Sequence, residues 1–205
     1  MLGYYNYTVI LTYISVAISA LGMHLAITGN MKYAMICLIL SGACDMFDGP
    51  IARTMERTRE EKEFGIQIDS LADLICFGVF PAVLGYTVCD EFAGHGAYIL
   101  LVLYLLGALI RLAYFNVQES IRQQQTTEKR KYYQGLPVTT AALIFPMVYA
   151  FSDFYPNVFM IVYMVTMLAV SVAFITNFKI KKAGKKEMAA MAVVAFGIFI
   201  KLILL

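Results

Sequence analysis

The sequence predicts an all-α, polytopic membrane helix bundle, and three observations carry that reading. Of the 205 residues 60% are apolar and only 15% charged, with a mean hydropathy of +0.72, whereas a soluble domain carries about a quarter charged residues. Apolar runs recur at the length needed to cross about 30 Å of hydrocarbon, about 20 residues each. None of the runs alternates with period two, and lipid admits only helices or closed barrels.

The runs cover 8–28, 32–53, 66–89, 96–118, 156–178 and 187–205, with a shorter one at 137–152 interrupted by Pro137 and Pro146. No Lys or Arg precedes Lys32, so the first run lacks the basic n-region of a signal peptide and reads as a span. Gly29-Asn30 separates the first two runs. The second ends at Arg53 and the third re-enters near Gly65. Lys201 interrupts the last. The expectation is one integral membrane domain over 1–205.

Thirteen of the sixteen basic residues fall in three connections: Arg53, Arg57, Arg59 and Lys62; Arg122, Lys129, Arg130 and Lys131; Lys179, Lys181, Lys182, Lys185 and Lys186. The opposite loops hold almost none beyond Lys32. Basic loops face the cytoplasm, so the N-terminus is expected inside, and seven crossings would put the C-terminus outside. Lys179 to Lys186 could in addition attract anionic headgroups. A net charge of +2 gives no argument for nucleic acid. Cys37, Cys44, Cys76 and Cys89 lie in apolar stretches without metal-site spacing and read as small buried hydrophobes. His24 and His95 read as structural.

Four of the fourteen acidic residues lie inside spans: Asp45 and Asp48 near the end of the second, Asp69 and Asp73 near the start of the third. A charge at mid-membrane costs at least about 2.5 kcal/mol, so such groups usually face a cavity and carry function. The i,i+3 and i,i+4 spacings put each pair on one helix face. At about 1.5 Å per residue all four lie within about two turns of the cytoplasmic surface. Like charges so close repel unless a cation neutralises them, and all-oxygen ligands favour Mg²⁺, Mn²⁺ or Ca²⁺. Pairing with Arg53 and Arg111 to tie helices together is the structural alternative. Gly49 and Gly65 leave bare helix surface beside the carboxylates for a bulky ligand. Residue chemistry alone reaches a metal-dependent intramembrane site for an anionic lipid or nucleotide. Thr12 and Ser15 share a face of the first span and could line the same cavity.

The stretch Asp45-x-x-Asp48-Gly49-x-x-Ala52-Arg53, eleven residues, then Gly65-x-x-x-Asp69-x-x-x-Asp73 closely resembles the signature of the CDP-alcohol phosphotransferase family. Eight fixed positions carry the match over residues 45 to 73. The resemblance implies the family's six-helix core, here with one helix more. The spacer, Thr54 to Phe64, is longer than the family's common eight residues, and the excess is expected to lengthen the cytoplasmic loop. Asp69-Ser70-Leu71-Ala72-Asp73 with Phe77-Gly78-Val79 and Pro81-Ala82, then Arg111-Leu112-Ala113-Tyr114-Phe115-Asn116, and more weakly Gly135-Leu136-Pro137, resemble one branch, the membrane CDP-diacylglycerol-serine O-phosphatidyltransferases, or phosphatidylserine synthases.

The resemblance implies transfer of the phosphatidyl group of CDP-diacylglycerol to the hydroxyl of L-serine, with release of CMP, at the cytoplasmic face of the cell membrane. It implies a divalent metal, Mg or Mn with Ca possible, on Asp45, Asp48, Asp69 and Asp73, with Asp73 also the general base. It assigns the nucleotide and its pyrophosphate to Asp48, Gly49, Ala52, Arg53, Gly65 and Asp69, and suggests a homodimer. Arg111, at the depth of the aspartates, has the fork that suits serine's carboxylate, and Asn116 would add a hydrogen bond. Two rivals stand beside this. The same chemistry could serve glycerol 3-phosphate or an inositol phosphate, using Arg122, Lys129, Arg130 and Lys131. A cation transporter would instead spread its carboxylates toward both faces.

Overall fold

The computed structural model describes residues 3–52, 54–89, 94–125, 132–181 and 184–204. Arg53, Lys129, Arg130, Lys131 and Lys182, with the side chains of His95 and Lys185, lie outside the described residues. Among the described residues six helices are long and apolar enough to cross a membrane: Tyr7–Ile27, Met31–Ala52, Arg59–Cys89, Ala97–Arg122, Pro156–Ile175 and Lys186–Leu204; Val138–Ala150 is a shorter apolar helix. The chain is an integral membrane protein of all-α architecture.

Helix α1 (Ile10–Ile27) follows a 3-10 turn, Tyr7–Val9, whose first free N–H groups are met by Asn6: its side chain accepts from the Thr8 N–H at 3.2 Å. Gly29, at φ +85°, ends α1 in the left-handed conformation that glycine adopts without strain, and α2 (Met31–Ala52) returns antiparallel. Side-chain-free positions bring helices close. A Cβ on Gly22 would meet the Phe80 ring at 2.3 Å, one on Gly42 the Ala142 Cβ at 2.5 Å, and one on Gly107 the Ser171 Oγ at 3.0 Å.

Helix α3 (Arg59–Asp73) begins earlier than the sequence suggests. Thr58 and Glu61 form a reciprocal capping box, Glu60 and Glu61 stand in the positive first turn, and Arg59 pairs with Glu63 at 2.9 Å. Six residues of the long spacer are therefore helical. The excess length extends α3 toward water instead of enlarging the loop.

Past Asp73 the helix widens into a π-helical stretch, Leu74–Val79, before α4 (Phe80–Cys89). Pro81 has no N–H to give the Phe77 carbonyl four residues back. The buried Tyr104 phenol donates to that carbonyl instead, at 2.8 Å. The Tyr104 ring packs edge-on to Phe145 and against Phe174, with centroids 5.7 and 5.5 Å away. These rings, with Phe77, Phe80, Leu84, Ala108, Tyr163 and Met167, form the centre of the bundle.

Helix α5 (Gly94–Gln125) leads to α6 (Ala141–Ala150), α7 (Phe159–Ile175) and α8 (Lys185–Leu204). Strands β1 (Tyr132–Gln134) and β2 (Lys179–Lys181) pair antiparallel, Tyr133 opposite Ile180, a feature the apolar pattern does not announce. Their pairing puts the α5–α6 and α7–α8 connections at one end of the bundle, so α6 and α7 form an out-and-back pair. At the other end the Lys32 ammonium donates to the Ile203 carbonyl at 3.2 Å, and Lys201 lies 3.8 Å from the Phe151 ring centroid. The described residues make seven traverses of the bundle, with Ile203 at the end away from the aspartates. Outward side chains such as Val165 and Val193, 60% and 71% exposed, make an apolar belt suited to lipid.

Candidate active site

The last turns of α2 and the last turns of α3 meet beside α1, and there the carboxylates gather. Ligand oxygens of Asp45, Asp48 and Asp69 all lie within 4.8 Å of one another. Asp73 stands within side-chain hydrogen-bonding reach of Asp45, and Asp69 of Asp48. The i,i+3 and i,i+4 spacings aim each pair inward, and antiparallel packing brings the two faces to the same depth. Three oxygens from separate carboxylates at this spacing fit a hard divalent cation, since Mg²⁺, Mn²⁺ and Ca²⁺ take oxygen ligands.

Helix α1 closes the third side. The Thr12 hydroxyl, 5% exposed, donates to Asp48 Oδ2 at 3.4 Å. One turn deeper, Ser15 pairs with Ser41 at 2.7 Å and lies 3.3 Å from Cys76 Sγ, and Ser19 donates to Ser41 at 2.9 Å. Ser15 thus serves this buried hydroxyl chain, while Thr12 reaches the carboxylates. Ser41 precedes Asp45 by one turn, so the polar chain continues directly from the acidic cluster. All four cysteines are free thiols.

Gly49 and Ala52 sit on the last turns of α2, and Arg53 follows outside the described residues. Tyr7 Oη lies 2.9 Å from Thr54 Oγ1, and the Tyr4 and Phe64 rings meet edge to face at 5.6 Å. The segment before α1 therefore spans from the α2 exit to the start of α3. Gly65 faces Arg57, whose Nη1 would be 3.0 Å from a Cβ there.

On α5, Arg111 is 5% exposed; its Nε donates to the Leu136 carbonyl at 3.1 Å, and its guanidinium lies 5.6 Å from the Phe115 ring centroid. Leu136 is itself fixed: its N–H donates to the Ala173 carbonyl at 3.0 Å, and the Gly135 N–H to that of Phe178 at 2.8 Å. Gly135 has φ +72°, and a Cβ there would approach the Phe174 carbonyl to 2.9 Å. The weakly matching Gly135-Leu136-Pro137 thus docks on the end of α7 and holds an anchor for Arg111. Asn116 accepts a hydrogen bond from Ser70, beside Asp69, at 2.9 Å. Thr12 and Ser70 contacts of this kind are beyond a motif reading, because hydroxyls in apolar helices usually bond their own backbone.

The profile of the CDP-alcohol phosphatidyltransferase family matches residues 5–176. The chain is similar to the CDP-diacylglycerol-serine O-phosphatidyltransferase of Saccharomyces cerevisiae, 36% identical over 132 residues, 62% of this chain and 46% of the yeast protein. It is similar to the archaetidylserine synthase of Methanothermobacter thermautotrophicus, 34% identical over 60% of this chain and 48% of that protein. A Helicobacter pylori CDP-diacylglycerol-serine O-phosphatidyltransferase is 29% identical over the same shares. The chain spans about half the length of these relatives. With the profile covering residues 5–176 and the aspartates gathered as described, the chain belongs to the CDP-alcohol phosphatidyltransferase family.

Proposed function

We propose that this protein transfers the phosphatidyl group of CDP-diacylglycerol to L-serine, giving phosphatidylserine and CMP. The observation that carries the reading is the convergence of Asp45, Asp48 and Asp69, with Asp73 beside Asp45, inside membrane-spanning helices. The serine synthases among its relatives support the choice of acceptor.

In this reading Asp45, Asp48, Asp69 and Asp73 hold divalent metal, Mg or Mn. When bound, such an ion neutralises the diphosphate and the charge that builds on the leaving nucleotide. Gly49, Ala52 and Gly65 leave helix surface open to the cytidine nucleotide, and Arg53, outside the described residues, is assigned to the same nucleotide. Arg111 and Asn116 hold serine, the guanidinium fork matching its carboxylate. The serine oxygen forms a bond to the β-phosphorus as the bond from that phosphorus to the CMP oxygen breaks. Asp73 takes the hydroxyl proton, and CMP leaves. In this reading the site faces the cytoplasm with the N-terminus on the same side, which the basic connections support, in one domain over 1–205 that acts as a homodimer.

Acceptors that carry a phosphate need free cations near the site. Arg122, which such an acceptor would use, pairs with Glu119 through Nε at 3.1 Å and Nη2 at 2.5 Å. CMP release by purified protein, with serine, glycerol 3-phosphate and inositol phosphate offered separately, tests the assignment. Release with serine is expected; release only with a phosphorylated acceptor overturns it.

A further inference from the structure

Arg57 lies in the connection between α2 and α3, turned inward between the exposed Glu56 and Thr58. Its guanidinium rests on the bare face of Gly65: a Cβ there would meet Arg57 Nη1 at 3.0 Å and no other atom within 4 Å. The Nε is shielded from solvent without a hydrogen-bond partner. Among the described residues neither a hydrogen bond nor an ion pair engages the side chain. A guanidinium stays charged at any physiological pH, and leaving the shielded Nε unmet costs free energy that an anion would recover.

Position decides which anion. Gly65 and Asp69 are i,i+4 on α3 and share a face, about 6 Å apart. Arg57 is thus one turn from the carboxylate cluster, on the side toward the cytoplasmic connection. An acidic floor that holds metal and a cationic rim one turn above it together suit a ligand with two adjacent phosphates. We infer that Arg57 is a direct contact for the diphosphate of the cytidine nucleotide, gripping it across Gly65. The inference rests on the reading of the site given under Proposed function, and it adds a reason for a glycine at 65: a Cβ there would crowd Arg57 Nη1 at 3.0 Å.

The test is binding of CDP with Mn²⁺ to the full chain in detergent, by calorimetry, beside KM values for CDP-diacylglycerol and serine. Arg57→Gln is expected to weaken CDP binding roughly tenfold to a hundredfold, the range for losing a hydrogen-bonded charge. The KM for CDP-diacylglycerol should rise while that for serine stays. Arg57→Lys, which keeps the charge and secures a folded comparison, should recover part of the loss. Gly65→Ala should cost little more in the Arg57→Gln background, since the contact is already gone. Unchanged CDP affinity in Arg57→Gln, or a defect confined to the serine KM, overturns the inference and leaves the proposed activity standing. Wild-type protein that binds no CDP overturns both.

Discussion

Ser70 and Asn116 join α3 to α5 by a 2.9 Å hydrogen bond one residue from Asp69. The bond engages the Asn116 carbonyl oxygen and ties α5 to the helix that carries Asp69 and Asp73. Replacing Ser70 by Ala removes a bond of about 0.5–1.5 kcal/mol. The expected result is a rise of two- to tenfold in the serine KM, with Mn²⁺ affinity unchanged, measured by CMP release and by paramagnetic titration.

Asp73 and Asp48 should separate by role. Asp73→Asn is expected to lower serine-dependent CMP release by about 10²–10⁴, the usual contribution of a positioned base, while Mn²⁺ binding weakens but persists through Asp45, Asp48 and Asp69. Asp48→Asn, within the group whose oxygens approach to 4.8 Å, should lose Mn²⁺ binding as well as activity. Mn²⁺ titration of both variants checks this.

Tyr104 satisfies the carbonyl that Pro81 leaves without a donor. In Tyr104→Phe that buried acceptor is unmet, at a cost of about 1–3 kcal/mol. A lower unfolding temperature in detergent is expected, with substrate affinities in the remaining folded protein unchanged.

Gly135→Ala combines a left-handed backbone, φ +72°, with a Cβ 2.9 Å from the Phe174 carbonyl. The backbone alone costs about 1–2 kcal/mol. Because Leu136 anchors Arg111, the variant should both melt earlier and raise the serine KM. A change in melting alone would separate this turn from the acceptor site.

The spans and the acidic cluster were legible because both follow from spacing. Twenty-residue apolar runs have one use in a helical protein, and i,i+3 and i,i+4 carboxylates share a face whatever surrounds them. The start of α3 was not, since Thr58 to Phe64 is too polar for an apolar run, although its Thr58-x-x-Glu61 box is a helix signal that composition masks. The bond from Tyr104 to the π-helical stretch comes from 27 residues away, and local pattern cannot show it. The Thr12–Asp48 contact depends in the same way on how α1 is rotated against α2. Gly135 stood out in sequence, but its reason, the carbonyls at the end of α7, lies about forty residues away.

The central claim is that carboxylates inside the bundle hold a metal on which transfer to serine depends. The most direct measurement is CMP release from CDP-diacylglycerol by the purified protein, stripped of metal and then titrated with Mn²⁺ at fixed serine. The account predicts no release without Mn²⁺ or without serine, and saturable release with both. Release that persists in the stripped protein, or that ignores serine, would contradict it.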